Sequence, residues 1–175
     1  MKLNVLAWIP LVVAVIFFGV AAYFTRADRR HVLNALIGGA LAGGIGLLLD
    51  VGGYLASLWY YLGAHVSHGP WLVYVAVGFA QGVVALIAWG LAQRFNNVGL
   101  VIFVFFVASV LTSQDYFIAN SPYRIQIISP GIAPAIYDLL LWLTVTTVSV
   151  WTLRALSGSA WRKIGEPSGE EEAAH

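Results

Sequence analysis

Three aspartates stand inside otherwise apolar runs: Asp50 in "GIGLLLDVGGYLASLWYYLG", Asp115 in "VIFVFFVASVLTSQDYF" and Asp138 in "PAIYDLLLWL". A carboxyl group in such surroundings has one ready chemistry. Kept protonated, it donates a proton to a double bond or carbonyl, and nearby aromatic faces stabilise the positive charge that develops. In this reading Asp50 is the acid and Asp138 or Asp115 a second carboxylate. Tyr54, Trp59, Tyr74, Tyr137 and Trp142 line the cavity, with Gln81 and Arg124 as polar contacts. The structural alternative is equally simple, an acid group that ties helices together. Ionisable residues within a membrane are functional candidates by default.

These residues must be positioned by helices in lipid. The chain has 175 residues, 60% hydrophobic and 10% charged, with net charge +1. Soluble domains carry about 25% charged residues, so an integral membrane protein is expected. No basic patch with interleaved aromatics suggests nucleic acid. The absence of cysteine excludes disulfides, thiolate metal sites and cysteine nucleophiles. No HExxH, GxSxG or P-loop pattern occurs, and no cofactor is implied.

A transmembrane helix needs about 20 mostly apolar residues. Five segments qualify, about 4–25, 33–62, 71–92, 98–117 and 134–155, giving an all-α five-helix bundle over residues 1–158. Residues 159–175 are polar, end in acids, and read as a disordered tail. Arg26, Arg29, Arg30, Arg94, Arg154, Arg162 and Lys163 fall on one side of an odd-numbered bundle, and only Lys2 and Arg124 on the other. The positive-inside rule then places the N-terminus outside and the C-terminus in the cytoplasm of a multi-pass cell-membrane protein. Three arginines directly after the first apolar run favour an uncleaved anchor over a signal peptide.

Small residues let helices approach closely in lipid. Gly39, Gly43, Gly46, Asp50 and Gly53 recur along one face of the second span, and Gly78, Gln81, Gly82 and Ala85 along the third. With Trp59, Tyr60 and Tyr61 taken as an outer aromatic belt, Asp50 lies about 13 Å below it at 1.5 Å per residue. Trp71 puts Gln81 at a similar depth, so Asp50 and Gln81 are expected to face one another and hydrogen-bond. An isolated ionised aspartate there costs about 2.5–3.5 kcal/mol, so Asp50 is expected to hold a proton or face a wet cavity.

Nearly all other polar groups fall in the outer half, which suggests a pocket opening outward, roofed by residues 118–133. Arg124 is available to pair with Asp115 or Asp138. The roof sequence "YRIQIIS" alternates polar and apolar residues, and Pro122, Pro130 and Pro134 discourage a continuous helix. His65 and His68 are spaced to share a metal with Asp115, yet they lie beside Gly63, Gly69 and Pro70, and a loop reading is preferred with no metal.

Three functions remain open. One is binding or acid-catalysed conversion of an apolar molecule of isoprenoid, quinone or lipid type. Another is a non-catalytic subunit or assembly factor of a membrane complex, with membrane-protein partners or further copies of itself. A proton-coupled carrier is the third, disfavoured by the lack of an inverted repeat.

Overall fold

A computed structural model describes residues 2–62, 68–95, 97–122, 124 and 126–158. The expectations for His65, Tyr123, Ile125 and the 159–175 tail lie outside these residues. Five helices are long and apolar enough to cross a membrane: α1 (Lys2–Thr25), α2 (Arg29–Leu55), α3 (Trp71–Ala92), α4 (Asn97–Ala119) and α5 (Ala133–Ser157). Two three-residue strands, β1 (Trp59–Tyr61) and β2 (Gln126–Ile128), accompany them. α2 packs against α3 and α5, α1 against α3, and α4 chiefly against α5.

Glycine decides how α2 meets α3. A Cβ at Gly39 would overlap the Gly78 carbonyl, and one at Gly43 would lie 2.8 Å from the Tyr74 carbonyl oxygen. One at Gly82 would lie 3.2 Å from the Ala35 carbonyl oxygen. Four residues along α2 are thus matched by four residues back along α3, an antiparallel register fixed by backbone contact. Such approach is how lipid-embedded helices gain dispersion energy where burial from water offers none. On the other side of α2, a Cβ at Gly38 would sit 2.7 Å from the Ser149 carbonyl oxygen of α5. Ser149 Oγ in turn donates to the Gln81 carbonyl at 2.8 Å, joining α3 to α5.

α2 begins and ends for local reasons. Asp28 caps it, its carboxylate accepting the His31 backbone N–H at 2.9 Å, a standard way to satisfy an orphan donor of the first turn. At the far end the N–H groups of Ala56, Ser57 and Leu58 return to the carbonyls of Gly52, Tyr54 and Gly53. Ser57 takes the left-handed φ of 59° that reverses the chain. The Trp59 indole then lands on Gly53, where a Cβ would overlap the ring.

This reversal corrects the expected 33–62 helix and the aromatic belt. Trp59 is 2% exposed and packs edge-on against Tyr137 at 5.4 Å. β1 runs antiparallel to β2, with Trp59 opposite Ile128, Tyr60 opposite Ile127 and Tyr61 opposite Gln126. Ser129 closes the joint, its N–H donating to the Leu58 carbonyl at 2.9 Å and its hydroxyl to the Ser57 carbonyl at 2.7 Å. Within the expected roof the described strand is Gln126–Ile128, and the ribbon covers one end of the bundle.

Candidate functional site

Beneath the ribbon, the Asp50 carboxylate is clasped by two phenols. Tyr61 Oη lies 2.6 Å from Oδ1 and 2.7 Å from Oδ2, and the Tyr74 hydroxyl donates to Oδ2. Tyr74 Oη also accepts the Gly69 N–H at 2.9 Å, which leaves its own proton directed at Asp50. The Tyr61 phenol is pushed well above the ordinary tyrosine range, first by burial and then by the neighbouring carboxylate, so it stays a donor. Asp50 itself is buried, and a buried carboxylate requires such charge-assisted partners.

Gln81 is not among them. In the glycine-set register Gln81 is level with Leu36, fourteen residues before Asp50 on α2 and about 21 Å away along the axis. It is 1% exposed, and its Oε1 has no hydrogen-bond partner. The expected pair fails because α2 stops at Leu55, so that Asp50 lies near the helix end instead of nine residues below it. Tyr74 reaches Asp50 because its side chain leans toward the α3 N-terminus, as helical side chains do.

The remaining candidates separate into two groups. Tyr137 donates to the Leu49 carbonyl at 2.8 Å and, with half-buried Tyr54, packs around Trp59. Trp142 Nε1 donates to Asp115 Oδ2 at 2.8 Å. Asp138 is 7% exposed, and its Oδ2 has no hydrogen-bond partner. Arg124 is exposed and pairs with neither acid, since the one salt bridge among the described residues joins His31 and Asp28.

Comparison with known proteins finds no matching family model, no matching curated protein and no matching solved structure. The reading therefore rests on geometry.

A groove of about 520 Å³ runs between α2 and α3 on the side away from α5. Ala40, Gly43, Gly44, Trp71, Tyr74 and Phe79 are among its walls, and its lining is otherwise aliphatic or glycine. Tyr74 belongs both to this groove and to the Asp50 clasp. A Cβ at Gly44 would meet nothing within 4 Å. No described cation lines the groove.

Two informative residues escaped the sequence reading. Tyr61 looked like belt; read as a strand, Trp59 and Tyr61 share one face and both turn inward. His31 is buried, donates Nδ1–H to Asp28 at 2.8 Å and stacks on Trp89 at 4.1 Å. The signal was Asp28 three residues ahead of it, an N-cap spacing. His68 Nδ1–H donates to the Gly69 carbonyl at 2.6 Å, and among the described residues no group of three His, Cys, Asp or Glu forms a metal site.

Proposed function

We propose that this is a multi-pass cell-membrane protein that binds a chain-bearing apolar molecule of isoprenoid, quinone or lipid type. The chain lies in the α2–α3 groove and the polar end rests at Tyr74, beside Asp50. The observation that carries the reading is that one residue, Tyr74, is shared by an apolar groove and a buried carboxylate clasp. The volume falls within the range usual for small-molecule sites, about 300–1,000 Å³. With no cation in its lining, the groove suits a neutral polar end better than a phosphate. Asp50 accepts from two phenols, which fits a positioning acceptor and not the proton donor of the catalytic alternative.

The positive-inside arrangement of arginines puts the ribbon and clasp on the outer face, so the ligand enters from the outer leaflet. A single cysteine placed at Ser57 reacts with an impermeant reagent added outside cells, and one at Arg26 does not; the reverse result removes this orientation.

Binding is tested with the protein purified in mild detergent and extracted for mass spectrometry. The wild type carries one dominant chain-bearing species in near-stoichiometric amount. Gly44→Leu fills the groove without backbone overlap, stays monodisperse and loses that species. An extract matching bulk membrane lipid, unchanged by Gly44→Leu, would remove the proposal.

A second reading, as subunit of a larger complex, draws support from α4. Ala108 is its one fully buried residue among those described, and Ser109, Ser113 and Gln114 are exposed polar groups on an apolar helix. Such groups favour a partner helix in lipid. A stoichiometric partner retained in mild detergent, and lost on Gln114→Leu, would support it.

A further inference from the structure

The polar end of the α2–α3 groove can be read donor by donor. On α2 the groove walls Leu36, Ala40, Gly43 and Leu47 follow steps of four, three and four along one helix face, and the next step of three is Asp50. The clasp therefore closes the groove at its ribbon end, with Tyr74 common to both. Among the described residues three protons serve the clasp. The Tyr61 O–H is shared between the two Asp50 oxygens, the Tyr74 O–H goes to Asp50 Oδ2, and the Gly69 N–H goes to Tyr74 Oη. Acceptor positions are more numerous, about four on a carboxylate and two on each phenol oxygen. Tyr74 Oη thus has its proton committed and one lone pair left over.

We propose that the groove selects a chain ending in a hydroxyl group, an inference that rests on the chain-binding reading above. A hydroxyl gives its proton to the spare Tyr74 lone pair and can still accept. Trp71, 65% exposed, brings the one side-chain N–H of the lining to meet it. A carbonyl or ether oxygen only accepts, so it would set its own lone pairs against that of Tyr74. An ammonium brings three donors, more than this lining can satisfy, and buried donors left unmade are costly. A phosphate or carboxylate end meets the Asp50 charge with no cation in the lining. Among the ligand types proposed, a prenol or a quinol fits the groove and a quinone does not.

The test uses four probes that share one chain, farnesol, farnesyl methyl ether, farnesal and farnesylamine, titrated into the whole protein in mild detergent. Apparent affinity is read from the rise of Tm with probe concentration, and Gly44→Leu, with its groove filled, reports partition into the micelle alone. Wild type is expected to bind farnesol at least about fivefold more tightly than each of the others. Tyr74→Phe keeps the aromatic wall and should retain chain binding while losing that preference. The wild-type ranking decides by itself should Tyr74→Phe fail to fold. Equal binding of all four, each weakened by Gly44→Leu, would overturn the hydroxyl inference and leave the groove reading standing. Tighter binding of the amine, the aldehyde or the ether would overturn it too, and so would a preference for farnesol that survives in Tyr74→Phe. No binding of any probe beyond that of Gly44→Leu would count against the groove reading itself, and the inference falls with it.

Discussion

The hydroxyl of Tyr74 on α3 donates to the carboxylate of Asp50 on α2 while accepting the Gly69 N–H from the connection between the two helices. One side chain thus ties both helices to their own loop. A hydrogen bond to a charged group contributes about 1.5–3 kcal/mol. Tyr74→Phe is expected to cost about that much in reversible unfolding in mixed micelles. Asp50→Asn combined with Tyr74→Phe should cost less than the two separate losses added together. Strict additivity would show that the two groups do not interact.

The glycines of α2 are not equivalent. Gly39 faces the Gly78 backbone, which cannot move aside as a flexible side chain can, and Gly44 faces open space. Gly39→Ala should therefore destabilise by at least the 1–3 kcal/mol typical of overpacking, roughly, and Gly44→Ala should be nearly neutral. Equal effects of the two, read from unfolding midpoints, would contradict the register.

The ribbon offers a test free of background, because the chain has no cysteine. Tyr60 and Ile127 are paired across the strands, so Tyr60→Cys with Ile127→Cys should form a disulfide on mild oxidation, seen as altered gel mobility. Tyr60→Cys with Ile132→Cys should not. Crosslinking of both pairs would mean that the roof is not docked as a ribbon.

At the opposite end, Asp28 is held below the ordinary carboxylate value of 3.8, first by the His31 backbone N–H and then by the His31 side chain. A depressed acid stabilises the fold in full above that ordinary value, and its contribution disappears as pH falls through the lower folded value. Asp28→Asn keeps a capping acceptor but cannot titrate. Below about pH 4 the wild type should lose stability relative to Asp28→Asn, and Asp28→Ala should cost about 1 kcal/mol at neutral pH. A constant difference between wild type and Asp28→Asn from pH 3 to 6 would remove the cap argument.

Hydropathy carried the helices well. The expected 71–92 span coincides with α3, and three others shift by two residues or fewer at each end. The exception is instructive. The expected second span began at 33, where α2 begins at Arg29, and it ran past Leu55 because "ASLWYYLG" is as apolar as a membrane helix. The turn at Ser57 depends on a tryptophan finding a glycine, Trp59 on Gly53, a tertiary contact that a hydropathy window does not encode. That single error placed Asp50 too far below the helix end and assigned it the wrong partner. The acids were legible as isolated carboxyls in apolar runs. The clasp was not, because Tyr61 reaches Asp50 only after the reversal.

A ligand chain that lies in the groove and ends at the clasp is within reach of photocrosslinking. A benzophenone amino acid at Val75, which lines the groove, is compared with one at Ile102 on the exposed face of α4. Position 75 is expected to give an adduct of one defined mass, and position 102 a mixture of bilayer lipids. The same mixture from both positions would contradict it.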